Sequence, residues 1–381
     1  MKHALLLLFL LPSLLIAQVY PQHKPDKKLS ELNAEELNQL FDEANFTYKT
    51  QAMQAHADTI CQKLNGTLLI AQNDVVLAHK AAGYKVLDKK DQPISENTCF
   101  ELASVSKEFT AAAVLLLVQE GKVSLNDYLG KYFSNLPYTG ITVHNLLCHT
   151  SGLPEYFDFK SSWFPQGRLT TNQDVVDVLV KHHPKTIFAP GTGYKYTNTN
   201  YVLLALIVEN ASGQKFEDFV RENIFQPAGM NTSFYVTERN SKKGYSIATG
   251  HKADRIPREI KDLDGTFGDK GMYSTIYDLF AWKKAYFTNY TILSKEMVEK
   301  ATSAQNQLKN DKVPSEEYGY GWHLEDGPYG KLIYHGGLWH GFNHILVYYP
   351  EKDIFMVFLS NYCNRAHRGQ SGNVLHILCG A

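Results

Sequence analysis

Strand-like patterning is confined to the two ends of this chain, and a long stretch of helical periodicity lies between them. Residues 66–72 and 75–79 read as two apolar strands joined through Asn73-Asp74, a pair suited to a tight hairpin turn. Tyr334 and residues 342–349 and 354–359 make a second β-rich block, turned at Pro350-Glu351-Lys352-Asp353. From Ser104 to about residue 210 the apolar period is helical, broken by loops of Gly, Pro and Ser. This order predicts one sheet built from both chain ends, with a mainly helical lobe inserted between them. The predicted α/β lobe is discontinuous (about 51–103 and 318–381), the helical lobe covers about 104–317, and the cleft between them is the expected ligand site.

The N-terminus begins Met1-Lys2-His3, continues with an apolar block over residues 4–17 and turns polar at Gln18. A positive start, a short apolar core and a small residue at its end predict a signal peptide over residues 1–17 and export to the periplasm or medium. Leu15 departs from the small residue preferred at that position, so an uncleaved anchor is the alternative. No Cys follows the block, which argues against a lipid anchor, and no later stretch is apolar enough to span a bilayer. Residues 18–50 form a polar extension, with a helix start at Asn33 and Glu36 and a second helix over 52–64. The net charge of −1 offers no basic surplus for nucleic acid. The five cysteines show neither C-x-x-C nor zinc-ribbon spacing; an odd number leaves at least one free, and Cys148 reads as buried and structural. The histidines at 335, 340 and 344 are too widely spread for a metal site, and no cofactor is expected.

Chemistry concentrates first at Ser104-Val105-Ser106-Lys107, an S-x-x-K arrangement before the apolar run of residues 111–118, which Gly121 ends. With Ser104 at the mouth of a helix, Lys107 lies one turn in on the same face, and its amine is within reach of the hydroxyl proton. The Ser104 N–H is then one of the unpaired donors at a helix N-terminus, available to an oxyanion. A solvated lysine beside a capping serine has the same spelling, and a second S-x-x-K, Ser212 to Lys215, falls in a Gly-containing break that reads as a loop.

Two further stretches supply what such a serine needs. Tyr196-x-Asn198 sits in a Pro- and Gly-rich loop; a phenol near an ammonium can be held as phenolate or can share its proton, and Asn198 offers a carboxamide to a substrate amide. His335-Gly336-Gly337-Leu338 lies on a strand edge, where glycines admit substrate backbone and the Leu338 N–H can complete an oxyanion hole. A tyrosine packed over a loop, another Y-x-N at Tyr362 and Asn364, and an ordinary Gly-rich connection with an exposed His335 are the bland readings of each stretch.

Taken in order, S-x-x-K, Y-x-N and H-x-G resemble the serine β-lactamase and penicillin-binding-protein superfamily. The branch is that of the class C β-lactamases, with its DD-peptidase, D-aminopeptidase and esterase relatives. The resemblance runs from about Gly66 to the C-terminus and is strengthened by His149-Thr150-Ser151-Gly152-Leu153 and Tyr318-Gly319-Tyr320-Gly321-Trp322. It implies an antiparallel sheet flanked by helices and no metal or cofactor. It also implies Ser104 as the acylated nucleophile, general-base duty shared by Lys107 and Tyr196, and Asn198 on the substrate amide. Where β-lactamases carry K-T-G this chain has His335-Gly336-Gly337, so the grip on a substrate carboxylate is weaker and its charge conditional. The expected activity is therefore that of a D-amino-acid peptidase or esterase rather than an efficient β-lactamase. The expected partner is a small-molecule or peptide substrate, peptidoglycan-derived fragments included. A penicillin-binding sensor with little turnover stays open as the alternative. Trp339 and His340 either narrow the acyl pocket or simply pack; Asp269 and Lys270 carry no assigned role.

Overall fold

The structure is a computed structural model that describes residues 34–242, 244–260, 262–308, 316–364 and 370–379. The expected signal peptide and the helix start at Asn33 lie outside the described residues. Two compact units are distinguished, Met1–Ile60 with Gly369–Ala381, and Cys61–Arg368. Of the first, two helical stretches are described. One belongs to α1 (Ala34–Leu64), a single helix where two were expected. The sequence from 34 to 64 contains neither Gly nor Pro, so nothing in it breaks the helix. The other is the helix Gln370–Cys379 near the C-terminus.

The second unit carries the fold. β1 (Gly66–Gln72) and β2 (Val75–Ala82) form the expected hairpin, and Asn73 and Asp74 both take positive φ, 51° and 59°. The matching twist of such a turn is why these residue types occupy it. After the short β3 (Phe100–Glu101) come α2 (Ser106–Gln119), α3 (Val143–Leu147), α4 (Asn172–His182) and α5 (Asn198–Ser212). β4 (Phe234–Tyr235) and β5 (Met272–Ser274) pair with β3 in a small sheet ordered β3-β5-β4. Helix α6 (Ile276–Lys283) follows. β6 (Glu317–Tyr318), β7 (His323–Gly327), β8 (Gly330–Trp339), β9 (Phe342–Tyr349) and β10 (Ile354–Ser360) then complete the large sheet.

The large sheet has seven strands ordered β2-β1-β10-β9-β8-β7-β6, and all its pairings are antiparallel. The N-terminal hairpin therefore joins the C-terminal block through β1 and β10, as the patterning predicted. The small sheet and β7 were not anticipated: two- and three-residue strands are too short to show a period, and His323 to Gly327 is half polar. β7 pairs with β8 only as far as Tyr334, whereas β9 pairs with β8 through Trp339. Residues 335–339 thus have a strand neighbour on one side only. A continuous core runs beneath, with α2 almost wholly buried and packed against α5. Among the described residues no helix is long and apolar enough to cross a membrane. None of the five cysteines is in a disulfide; burial pushes the Cys148 thiol up to about 12, so it stays protonated and inert.

Candidate active site

Ser104 occupies a short 3-10 turn, Ala103–Val105, that feeds directly into α2. The turn is tight: Ala103 takes φ 50°, a left-handed value that a residue with a Cβ adopts only under constraint. Lys107 lies one turn further on, as the spacing predicted, and is fully buried. Its Nζ stands 3.0 Å from Ser104 Oγ, 2.8 Å from Asn198 Oδ1 and 2.9 Å from the main-chain oxygen of Asp269. Burial is the largest cause that pulls Lys107 down to about 7; Asp269 and Glu155 oppose it, and Lys270 adds to it.

That arrangement has a consequence for protons. Two of the three partners, an amide oxygen and a peptide oxygen, can only accept. A neutral amine has two N–H bonds and one lone pair. If the two hydrogens go to Asn198 and Asp269, the lone pair is left for the Ser104 hydroxyl.

Tyr196 comes from the loop before α5, and its ring lies 4.9 Å from Lys107 Nζ. Burial holds its phenol well above the usual tyrosine range, with Ser104 the neighbour that draws it down. The Tyr196 oxygen nevertheless has no partner in bonding geometry, so it stands beside Ser104 without a closed hydrogen bond. Of the two readings of Tyr196, a held phenolate or a shared proton, a phenol kept neutral by burial fits the second; the nearby amine is the group whose proton is loosened.

Asn198 is the first residue of α5 rather than part of the loop. Both ends of its carboxamide are engaged, the oxygen by Lys107 and Nδ2 by Glu155 Oε2 at 2.9 Å. Glu155 Oε2 also accepts the Asn198 N–H at 2.8 Å, capping a helix whose own N-cap, Thr197, does not. Glu155 was missed by sequence reading, as was His149. His149 Nδ1 accepts the Thr197 N–H at 3.1 Å, its backbone oxygen accepts the Lys195 N–H at 3.1 Å, and its ring lies 4.3 Å from Tyr196. The run His149 to Leu153 therefore shapes the loop that carries Tyr196. A lone Glu leaves no spacing signal, and only the run around His149 pointed to this region.

The free edge of β8 faces the Ser104 turn. A Cβ built on Gly337 would stand 2.3 Å from the Leu102 backbone oxygen, so this glycine is demanded by the turn that carries Ser104 rather than by a substrate. Gly336 is open: its Cβ would find nothing nearer than 3.8 Å. The Leu338 side chain is 63 % exposed and points away from the face shared by His335, Gly337 and Trp339, so its contribution to the site is its backbone. His335 departs most from expectation. It is buried, Nε2 meets Tyr318 Oη at 3.0 Å, Nδ1 meets the Gly336 oxygen at 2.8 Å, and burial holds it neutral, well below the usual imidazole range. Its charge is not conditional near neutrality, and no ring nitrogen is left for a carboxylate.

Asp269 and Lys270 also belong to the site. Tyr156 Oη donates to Asp269 Oδ2 at 2.8 Å, Lys270 Nζ donates to Tyr156 Oη at 2.8 Å, and Lys270 and Asp269 form an ion pair at 3.6 Å. Among the described residues no cluster of His, Cys, Asp and Glu could hold a metal ion.

The sequence profile of the Beta-lactamase family matches residues 50–378. The chain belongs to this family. Within it, the chain is 33 % identical over 329 residues to Penicillin-binding protein 4* of Bacillus subtilis, covering 82 % of this chain and 72 % of that one. Among solved structures, the octameric penicillin-binding protein homologue from Pyrococcus abyssi superposes with a TM-score of 0.71 at 27 % identity, over 87 % of this chain and 77 % of that one. The D-amino acid amidase from Ochrobactrum anthropi SV3 shares the fold, with a TM-score of 0.70 at 23 % identity over 87 % and 97 % of the two chains. This beta-lactamase family member is a serine hydrolase, and its antiparallel sheet with flanking helices is the fold its sequence resembled.

Proposed function

We propose that the protein is an acyl-transferring serine hydrolase with Ser104 as nucleophile, Lys107 as general base and Tyr196 as proton carrier to the leaving group. The observation that supports this best is the Lys107 amine, 3.0 Å from Ser104 Oγ and drawn down to about 7. As Ser104 Oγ attacks the substrate carbonyl carbon, its proton passes to Lys107 Nζ. The oxyanion is met by the N–H groups of Ser104 and Leu338. The proton then travels by way of Tyr196 to the leaving nitrogen or oxygen, the carbon–heteroatom bond breaks, and the acyl group stays on Ser104. Water repeats the sequence in reverse order and frees the serine. Asn198 orients the lysine, and any contact it makes with substrate uses its second Nδ2–H or the second lone pair of Oδ1.

The substrate class is a D-amino-acid peptide or amide, or an ester, and the site is expected to be exported with its chain. The neutral, fully engaged His335 and the bare Gly336 support a weak grip on a β-lactam carboxylate. Turnover of penicillins is therefore expected far below the diffusion-limited range of about 10⁸ M⁻¹s⁻¹, although the relative's name, a penicillin-binding protein, supports acylation by them. The test is intact-mass measurement of wild type and Ser104→Ala after a penicillin pulse, alongside turnover of p-nitrophenyl acetate and D-alanine amides. An adduct and turnover lost together in the variant are expected. A stoichiometric adduct without turnover would favour a sensor, and an adduct that persists in Ser104→Ala would remove the assignment.

A further inference from the structure

Two aromatic rings meet across one end of the cleft. Phe157 follows Glu155, the carboxyl that holds Asn198; Trp339 follows Leu338 on β8. They come from separate segments of the chain and stack with centroids 4.7 Å apart and planes 18° apart. Trp339 is fixed from several directions: its Nε1–H donates to Asp264 Oδ1 at 2.5 Å, His340 stacks on it at 4.3 Å, and Lys270 Nζ lies 5.1 Å from its ring. Phe157 rests on Tyr156 at 4.4 Å, with Lys270 Nζ 5.3 Å from its ring. Lys270 is itself buried and tied to Tyr156 and Thr266, so the cation beneath both rings does not move freely.

The proton path gives the cleft a direction. A leaving group must lie on the Tyr196 side, and Tyr196 neighbours His335 and His323 with centroids 6.1 and 5.8 Å away. That is the near end of the exposed β8 edge. With the carbonyl held between Ser104 and Leu338, the acyl portion runs the other way, past Leu338 toward Trp339. The stack stands across that course.

We infer that the Phe157–Trp339 stack is a wall at the acyl end of the cleft, restricting the enzyme to substrates with a short acyl unit, a single D-aminoacyl residue or a short-chain acyl group. This rests on the reading of Ser104 as nucleophile given above. A peptide that continues beyond the reacting residue has to separate the stacked rings and break a tryptophan hydrogen bond before it can seat.

The experiment compares kcat/KM of the full chain on D-alanyl p-nitroanilide and L-alanyl-D-alanyl p-nitroanilide, and on p-nitrophenyl acetate and decanoate. Wild type is expected to favour the short member of each pair by more than about tenfold. In Trp339→Ala and in Phe157→Ala that ratio should fall by about tenfold, while Trp339→Phe should keep it. Equal rates on short and long members in wild type, or an unchanged ratio in both alanine variants, overturn the wall and leave the hydrolase reading standing. If the alanine variants do not fold, the wild-type ratio and Trp339→Phe decide. If neither length is turned over, the hydrolase reading fails, and the wall is read from intact-mass labelling of Ser104 by methyl- against decyl-chain fluorophosphonates. Faster methyl labelling supports it; equal rates or no labelling overturn it.

Discussion

A lysine ordinarily keeps its proton until well above neutrality, and Lys107 does not. Burial disfavours the ammonium, and the acceptors around it are two neutral carbonyl oxygens and a hydroxyl. Below neutrality the third N–H occupies the direction of Ser104 and no base remains. We therefore expect kcat/KM to rise with pH along a single limb centred near 7. A flat profile from about pH 5 to 9 would contradict Lys107 as the base. The two glycines beside it make a second test at the same scale. Gly337→Ala forces a Cβ into the Leu102 carbonyl 2.3 Å away, so it should displace the Ser104 turn. The expected cost is about 1–3 kcal/mol in denaturant unfolding, with most activity lost. Gly336→Ala places a Cβ in ordinary contact only and should fold with wild-type stability. Both residues were visible in the sequence as one Gly-Gly pair. Which of them is indispensable was not, because the reason lies in a backbone oxygen more than two hundred residues away in the chain.

Elements carry the next layer of the site. The loop bearing Tyr196 and the start of α5 are braced by one preceding segment, in which His149 takes the Thr197 N–H and Glu155 takes both the N–H and the side-chain amide of Asn198. Burial raises the Glu155 carboxyl while the Asn198 donors lower it. Glu155→Ala strips three donors of their acceptor at once, the N–H and side-chain amide of Asn198 and the N–H of Phe157. We expect it to cost about 2–4 kcal/mol and to lower kcat more than it raises KM, since the residue acts through Asn198 on the orientation of Lys107. Glu155→Gln keeps a carbonyl oxygen and should recover most of both. Unfolding curves and the split between kcat and KM would check this. At this scale the sequence was half legible. Helix α2 and the hairpin could be read because their periods and turn residues are local. Asn198 was assigned to a loop because the cap of α5 is supplied by Glu155 from a distant segment, and a cap given in trans leaves no mark beside the helix it serves.

For the whole second unit the question is what locks two distant chain segments into one sheet. The β1–β10 ladder supplies the pairing, from Gly66 opposite Ser360 to Gln72 opposite Ile354. Its far end is pinned by a single cation. Lys283, the last residue of α6 and 1 % exposed, sits 2.6 Å from Asp74 in the β1–β2 turn and 2.6 Å from Asp353 in the β9–β10 turn. One helix end thus holds both hairpin turns, N-terminal and C-terminal, and neither aspartate has another buried cation among these pairs. The order of strand blocks made a sheet from both ends foreseeable, but not this clamp, since three charged residues so far apart share no pattern. Lys283→Met keeps the apolar stem and removes the charge, leaving two carboxylates side by side. Breaking a buried pair typically costs about 3–5 kcal/mol. Because each aspartate side chain keeps roughly a quarter of its surface in water, 24 % and 29 %, a value at or below the bottom of that range is the better expectation, about 2–3 kcal/mol. The loss should appear in urea unfolding as a lower midpoint with an unchanged slope. A variant as stable as wild type at neutral pH would show that the ladder alone closes the sheet.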